Sequence, residues 1–398
     1  MNRKTLLMVC FGALFMSMAP RKVDARSIEG RVMLSDSVSA SFATVYLPTT
    51  GQGTVCDMDG YFRLDSLQGA ECPVEVSYVG YTTHRDTVRW DAGGNAQLQV
   101  KMEEEPISLT NVLVTPNGED AAVYLFQKVI EQGEINRKRI QHLEANVRTS
   151  FFAQDMDVLP RLMPKALYFV MKSAMRMAGY GVVIDILFKH PKVDMEFSYQ
   201  MDYTQGKASY RNERFARCVP ELSDKLAKKC SKLFFYNPID ATLDRISIAL
   251  KYAKKNPGSY RLVGTIEEQG RVVDILEHQY VKGDTVMFST RYYIMEDVWS
   301  LLRYESRSMS NGEKRQEFRN IGGDIYLPVL RVDLPSPIDM NEMVDMAKKS
   351  IAESEDKPSA MEASILRRME DVANGRRKYQ PYIKNDYSIQ YSNVSIAQ

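Results

Sequence analysis

The chain has 398 residues, 44% hydrophobic and 26% charged, with 52 basic residues against 51 acidic ones and a net charge of +1. That length suits about two or three domains, and the apolar share is too high for a disordered chain. The charge balance excludes the basic excess or stripe of a nucleic-acid binder.

The first 25 residues speak to location. Arg3 and Lys4 precede an apolar run over residues 6–18, and Val23-Asp24-Ala25 supplies a small-residue cleavage site. This is the pattern of a signal peptide over residues 1–25, because the run is short for a membrane span. An uncleaved N-terminal anchor is the alternative, since Arg21 and Lys22 sit on the far flank. Cys10 lies early in the run with no small residue before it, which argues against a lipoprotein signal. An exported chain, periplasmic or associated with the outer membrane, is expected.

Residues 26–103 alternate and turn like a small all-β unit. Ala43, Val45 and Leu47 alternate with Thr44 and Tyr46, and Asp59-Gly60 marks a hairpin turn. Residues 104–120 form the linker candidate, with an extended segment at 109–115. Residues 121–139 turn helical, with Ala122, Leu125, Phe126, Val129 and Ile130 at three- and four-residue steps. A strand follows at 143–154. Residues 160–190 are rich in Met, Leu and Phe, and Lys165, Lys172 and Arg176 can share one helix face. We expect a core helix lying under a sheet there. A cover for a lipid groove, or a contact with a membrane surface, is the alternative.

Two strands are expected at 193–203 and 208–215, and then helices over 220–256 with a break at Asn237-Pro238. Residues 259–334 hold six successive strand-like runs separated by short turns such as Gln269-Gly270 and Asn311-Gly312. Short turns imply an antiparallel meander. In its third run Val286, Phe288, Tyr292 and Ile294 point one way, while Met287, Ser289, Arg291 and Tyr293 point the other. The apolar face is expected to curl over the preceding helices. Residues 338–378 read as charged helices, and the polar end of the chain as either a closing strand or a loose tail. The domain limits are thus 1–25, 26–103, 104–120, 121–337 and 338–398.

Chemistry is scarce. No HExxH, GxSxG, phosphate-loop or dinucleotide-loop motif occurs. His84, His142, His190 and His278 are read as structural or exposed, with no His or carboxylate partner at metal-binding spacing. Cys56, Cys72, Cys218 and Cys230 lack zinc-knuckle gaps. Disulfides are permitted by an oxidising compartment, but plain thiols are the expectation. Asp57-Met58-Asp59-Gly60 starts like a calcium loop and lacks its later Glu, so a β-turn is expected. Glu267, Glu268, Asp274 and Glu277 are available as carboxylates. No catalytic, cofactor-binding or metal residue is expected, and no cofactor.

The motifs Ile28-x-Gly30-x-Val32, DMDGYF over residues 57–62 and SYVGY over residues 77–81 resemble the carboxypeptidase-regulatory-like, or prealbumin-like, domain of exported Bacteroidetes proteins. The resemblance implies a β-sandwich at 28–103. In that family the module also precedes TonB-dependent outer-membrane receptors, but this chain is too short for their barrel. The rest of the chain, in its order of helix, strand, helical insertion and meander, is similar to the lipoprotein-carrier fold, a half-barrel closed over helices. The expected fold class is therefore mainly β with α: a prealbumin-like β-sandwich, then an α+β domain with an antiparallel meander packed on helices.

The function expected is a non-enzymatic cell-envelope protein that binds a lipid or other hydrophobic ligand, or an outer-membrane protein partner, and no nucleic acid. The alternatives are a structural docking subunit of an outer-membrane assembly and an unrecognised hydrolase. Met171, Met175, Val286, Phe288, Tyr292 and Ile294 are the candidate lining of a ligand cavity.

Overall fold

A computed structural model describes residues 26–104 and 120–397, apart from short stretches at 35–37, 41–42, 51, 58, 68–70, 79–80, 92, 178–180, 269, 283–284, 309–311, 337–338 and 353–357. The leader, most of the linker and the extended segment at 109–115 lie outside the described residues. The chain divides into two compact units, with the main break between Glu103 and Glu104 and two short stretches, Thr50–Gly53 and Gly80–Thr82, grouped with the second.

The first unit is a β-sandwich. Strands β1 (Arg26–Met33), β4 (Tyr61–Leu67) and β7 (Asn95–Lys101) form one sheet in the order β4-β1-β7. Strands β2 (Thr44–Leu47), β3 (Gln52–Val55), β5 (Glu71–Tyr78) and β6 (Tyr81–Arg89) form the other in the order β3-β2-β5-β6. Along β7 the buried residues Ala96, Leu98 and Val100 alternate with exposed ones, the two-residue period of a half-buried strand. Gly30 is required where β1 runs parallel to β7. A Cβ there would fall 1.9 Å from the Leu98 carbonyl oxygen.

The second unit is built on one ten-stranded sheet. Its strands are β8 (Ile140–Gln154), β9 (Lys192–Thr204), β10 (Lys207–Val219), β11 (Tyr260–Glu268), β12 (Arg271–Lys282), β13 (Thr285–Met295), β14 (Ser300–Ser308), β15 (Gly312–Asn320), β16 (Tyr326–Leu334) and β17 (Tyr382–Ile396). The order across the sheet is β10-β9-β8-β17-β16-β15-β14-β13-β12-β11. The meander is present with its six strands in sequence order. The polar C-terminal stretch is the closing-strand alternative, and it closes the sheet from the middle. β17 pairs with β8 from Tyr382↔Gln154 to Ile396↔Ile140, and with β16 at Leu330↔Ser388 and Arg331↔Tyr387. The sheet therefore does not end at residue 337. Tyr387 and Ile389, 4% and 0% exposed, are part of its core.

Two helices fill the apolar face of the meander. α1 (Ala121–Arg139) is capped by Asp120, whose carboxylate accepts from the Ala122 and Val123 amides, and Arg137, Lys138 and Arg139 stand at its C-terminal end. Both features stabilise a helix through its orphan amides and its dipole. Its buried stripe is Ala122, Val123, Leu125, Phe126 and Val129.

Three helices cover the 159–190 region: α2 (Leu159–Leu162), α3 (Lys165–Met177) and α4 (Gly181–Leu187). α4 buries Val183, Ile184, Ile186 and Leu187, and all but Ile184 join the core of β8 and β9. α3 buries no residue at all, which corrects the expectation of a core helix under the sheet. After α5 (Asp224–Ser231), α6 (Pro238–Lys255) buries Ile239, Leu243, Ile246, Ala249 and Ala253. α1 and α6 share one core with β11–β14 and with Phe318 and Tyr326. The space expected for residues 160–190 is thus already taken. Two further helices, α7 (Met340–Ala352) and α8 (Ala360–Ala373), pack with α2 around Val158, Leu162, Met340, Val344 and Met369.

Removal of the chain after Gln380 deletes β17 and leaves β8 and β16 without a shared partner. We expect loss of the cooperative thermal transition of the second unit by near-ultraviolet circular dichroism. A truncated protein that melts like the full chain contradicts this topology.

Candidate functional site

Four sites in the second unit have side chains suited to binding or chemistry. The first is the interface of α1 and α6 with the sheet. Phe126 meets Tyr292 and Tyr260 edge-on, each with ring centroids 5.1 Å apart, and Tyr292 meets Tyr304 at 5.2 Å. The Arg245 guanidinium of α6 lies 4.0 Å from the Tyr304 ring centroid. Between α1, α6 and the sheet remains a cavity of about 40 Å³, lined among others by Gly133, Leu243, Ser300, Phe318 and Tyr326. A water needs roughly 10–15 Å³ of such space, whereas small-molecule pockets measure roughly 300–1,000 Å³. In this conformation the cavity has room for a few waters and not for an acyl chain.

None of the six expected lining residues borders it. Tyr292 and Ile294 are 5% and 0% exposed within the helix–sheet core. Phe288 is half-buried beside His278, and Val286 is 45% exposed. Met171 and Met175 are half-buried on α3.

The second site is the opposite face of the meander, which is also buried and is polar. Arg303 is 1% exposed and pairs across the ladder with Tyr293 and with Glu317. Its Nη2 donates to Glu268 Oε2 at 3.1 Å, and its Nε lies 3.5 Å from Glu317 Oε1. Glu268 is on β11, three strands from β14, a span of about 14 Å in a flat sheet. The two long side chains bridge that span across the face to meet at 3.1 Å.

Burial opposes ionisation of Glu317, but the guanidiniums of Arg303, Arg315 and Arg319 outweigh it and hold its pKa down at about 2. Glu277 accepts from Arg291 Nε at 2.8 Å. Asp274 is 1% exposed with no hydrogen-bond donor on either oxygen. Burial, and then the neighbouring Glu296 carboxylate, push its pKa up to about 7. Glu267 is exposed. Of the candidate carboxylates, Glu268 and Glu277 are tied to arginines and Asp274 is sealed in. The cavity between α1, α6 and the sheet is lined by none of them.

The third is a polar group on β8 and β9. His142, Glu144 and Asp202 bring ligand atoms within 4.8 Å of one another. This corrects the reading that no histidine has a carboxylate partner at ligand spacing. On a strand, residues two apart share a face, and His142-x-Glu144 was the available signal. The group is already satisfied internally. Glu144 accepts from Arg211 at 3.3 Å and from Asn393 at 2.6 Å, one bond on each oxygen. His142 Nδ1 is 3.0 Å from the Thr204 hydroxyl, which donates to Asp202. A metal would have to displace these bonds.

Elsewhere the four cysteines are free, and burial raises the Cys56 thiol to about 12, so it is an unreactive thiol. In the first unit, Asp57 accepts from the Asp59 and Tyr61 amides at 2.9 and 2.8 Å, and Gly60 has φ +80°. That is a turn built on the carboxylate, as the sequence suggested.

The fourth site is the outer face of α3. Leu167, Val170, Ala174 and Met177 follow one another at three- and four-residue steps and therefore share a face. All are exposed, with Val170 at 63% and Met177 at 84%, and Phe169 beside them is 70% exposed. The inward side is narrow. Tyr168 meets Phe188 at 5.9 Å, and Lys172 and Arg176 reach Asp185 of α4 at 2.9 and 3.0 Å. Hydrogen bonds from Lys172, and then from Arg176, hold the Asp185 carboxyl below its ordinary range. Within residues 159–192 there are six Lys or Arg residues and one acid, Asp185, in a chain that is otherwise balanced. An apolar helix face of this size, flanked by cations, is an unusual thing to leave in water.

The buried ion network makes a pH-dependent contribution to stability. A carboxyl whose folded pKa lies below its unfolded value stabilises above that unfolded value and ceases to do so as pH falls. For Glu317 the window runs from 4.5 down to about 2. Glu317→Gln leaves Arg303 buried without the largest of its carboxylate partners, a cost of about 3–5 kcal/mol. The urea midpoint at neutral pH should fall, and the gap from wild type should close as pH drops through that window. Equal midpoints at neutral pH would contradict the pairing.

Comparison with known proteins adds one domain assignment. The chain is similar to a DUF1329 family protein from Desulfovibrio piger, with 9% identity, a TM-score of 0.23, and 70% of this chain and 94% of that one covered. It is similar to a LolA superfamily protein from Nitrosomonas europaea, with 8% identity, a TM-score of 0.21, and 68% and 93% covered. A domain from Vibrio parahaemolyticus named for outer membrane lipoprotein sorting gives 5% identity, a TM-score of 0.21, and 67% and 94% covered. These likenesses are too distant to carry an assignment. No curated protein matches. Residues 28–114 match the CarboxypepD_reg-like domain family, so the β-sandwich of the first unit is a domain of that family.

Proposed function

We propose that this is a non-enzymatic cell-envelope protein whose second unit docks on a lipid surface through the outer face of α3. The observation that carries the reading is the exposure of Leu167, Phe169, Val170 and Met177 on one helix, at 42%, 70%, 63% and 84%. α3 has 13 residues and is about 20 Å long at 1.5 Å per residue, too short to span a bilayer but long enough to lie in its interface. No helix among the described residues is long and apolar enough to cross a membrane. Lys165, exposed at the start of the helix, can reach anionic headgroups while the apolar side chains enter the acyl boundary.

A hydrophobic ligand enclosed by the meander has less support, because α1 and α6 leave only about 40 Å³ beside the sheet. The non-enzymatic reading rests on Glu268 and Glu277, which are paired with arginine, and on Asp274, which is sealed from solvent. Placement in the periplasm or at the outer membrane rests on the leader pattern at residues 1–25.

The test is vesicle flotation of the full chain with phosphatidylcholine vesicles containing phosphatidylglycerol. Phe169→Ser with Val170→Ser removes two exposed anchors. Burial of such a side chain is worth about 1.5–3 kcal/mol when complete, so partition should fall about 30-fold or more. Circular dichroism should be unchanged, since both side chains face water. Wild-type protein that stays with the aqueous phase sinks the proposal. A defined envelope protein crosslinked to this face in its place would make the surface a protein-docking site.

A further inference from the structure

The second unit has a larger cavity, of about 390 Å³, away from the sheet interior. Four arginines line it: Arg161 from α2, Arg368 from α8, and Arg376 and Arg377 from the segment just after α8. The lining contains one acid, Asp371, and one aromatic ring, Tyr379. Tyr379 organises two of the guanidiniums. Its hydroxyl accepts from Arg161 Nη1 at 2.9 Å, and the guanidinium carbons of Arg161 and Arg377 lie 5.7 and 4.7 Å from its ring centroid.

The four cations are not equivalent. Arg377 is held by Asp155 and lies 3.9 Å from Asp157. Asp155 is 5% exposed and also accepts from the Gln380 amide at 3.0 Å, so this arginine is fixed from behind. Arg161, Arg368 and Arg376 make no ion pair among the described residues. Stabilisation of the C-terminal end of α8 by cations accounts for Arg376 and Arg377. It does not account for Arg161, which arrives from a different helix, or for Arg368, which lies further back along α8. Like charges converging on one cavity repel, and the arrangement is relieved by an anion. Planar guanidiniums from several directions suit a tetrahedral oxyanion that accepts paired hydrogen bonds.

We infer that this cavity binds a phosphate group, a monoester or diester, with Arg161, Arg368 and Arg376, whose charges no carboxylate among the described residues pairs, as its donors and Arg377 as a fixed wall. Arg161 lies four residues before Lys165, the first residue of α3, so the two Cα atoms are at most about 14 Å apart. The phosphate site is thus tethered to the start of the exposed helix. On the reading that α3 lies in a lipid surface, the phosphate belongs to an anionic lipid headgroup. The cavity itself does not depend on that reading, and the same chemistry would take a free phosphate.

The experiment uses the full chain and two probes. Inorganic phosphate is titrated calorimetrically at low ionic strength, and flotation is measured with phosphatidylcholine vesicles with and without phosphatidylglycerol. The variants are the triple change Arg161→Gln, Arg368→Gln, Arg376→Gln, and the α3 pair Phe169→Ser, Val170→Ser. Wild type should bind phosphate, more weakly as salt rises, and the triple variant should lose about tenfold or more in affinity. The triple variant should also lose the preference for anionic vesicles. The α3 variant should lose flotation and keep phosphate binding. Phosphate binding with no preference for anionic vesicles upholds the cavity and overturns the lipid source. Flotation unaffected by the α3 change, together with loss in the triple variant, overturns the α3 reading and upholds the cavity. No heat with phosphate and vesicle binding indifferent to the triple change overturn the site.

Discussion

The filling of the meander's apolar face by α1 and α6 determines much of what else the second unit can do. Phe126 of α1 is wedged between Tyr260 and Tyr292 at 5.1 Å from each, and Arg245 of α6 caps Tyr304. Packed side chains in such a core leave little room for another element. α3 therefore has nowhere to insert on that face. It remains outside, held by Asp185 of α4 and by the contact of Tyr168 with Phe188, with its apolar stripe turned to solvent.

The sheet tolerates this because its two faces have divided roles. One takes the helices. The other is also buried and is satisfied by charge, with Arg303 among Glu268 and Glu317. A buried charge without its partner is costly, so the network constrains β11–β15 as firmly as the aromatic core constrains the helices. Asp274 is the exception. It is a buried carboxyl with no donor, and because its pKa is raised from 3.8 to about 7 it lowers stability as pH climbs through that window, with the full cost present above it.

The local parts of this structure were legible in the residues. The six meander strands followed from alternation and from turns such as Gln269-Gly270, where pairing partners are close in sequence. The DMDGYF turn followed in the same way. β17 was legible only as an alternative, because its partner β8 lies more than 200 residues earlier and polar side chains such as Lys384, Asn385 and Asp386 mask its core positions. The amphipathic character of residues 165–177 was visible, but not which face would be covered. That depended on α1 and α6 occupying the apolar face of the sheet. The arginine cavity was beyond reach for the same reason, since Arg161 and Arg368 to Arg377 meet only through the packing of α2 on α8. His142-x-Glu144 carries its signal only at the two-residue period of a strand, which helical and loop metal motifs do not share.

The central claim is that α3 meets lipid with its outward face while the sheet interior stays closed. Phe169→Trp places a fluorescent ring at the most exposed aromatic position of that helix. With vesicles containing phosphatidylglycerol, the account predicts a blue-shifted emission and quenching by lipids brominated near the headgroup end of the acyl chain. Emission that stays at its aqueous wavelength and is untouched by brominated lipid, in protein that is otherwise folded, would contradict it.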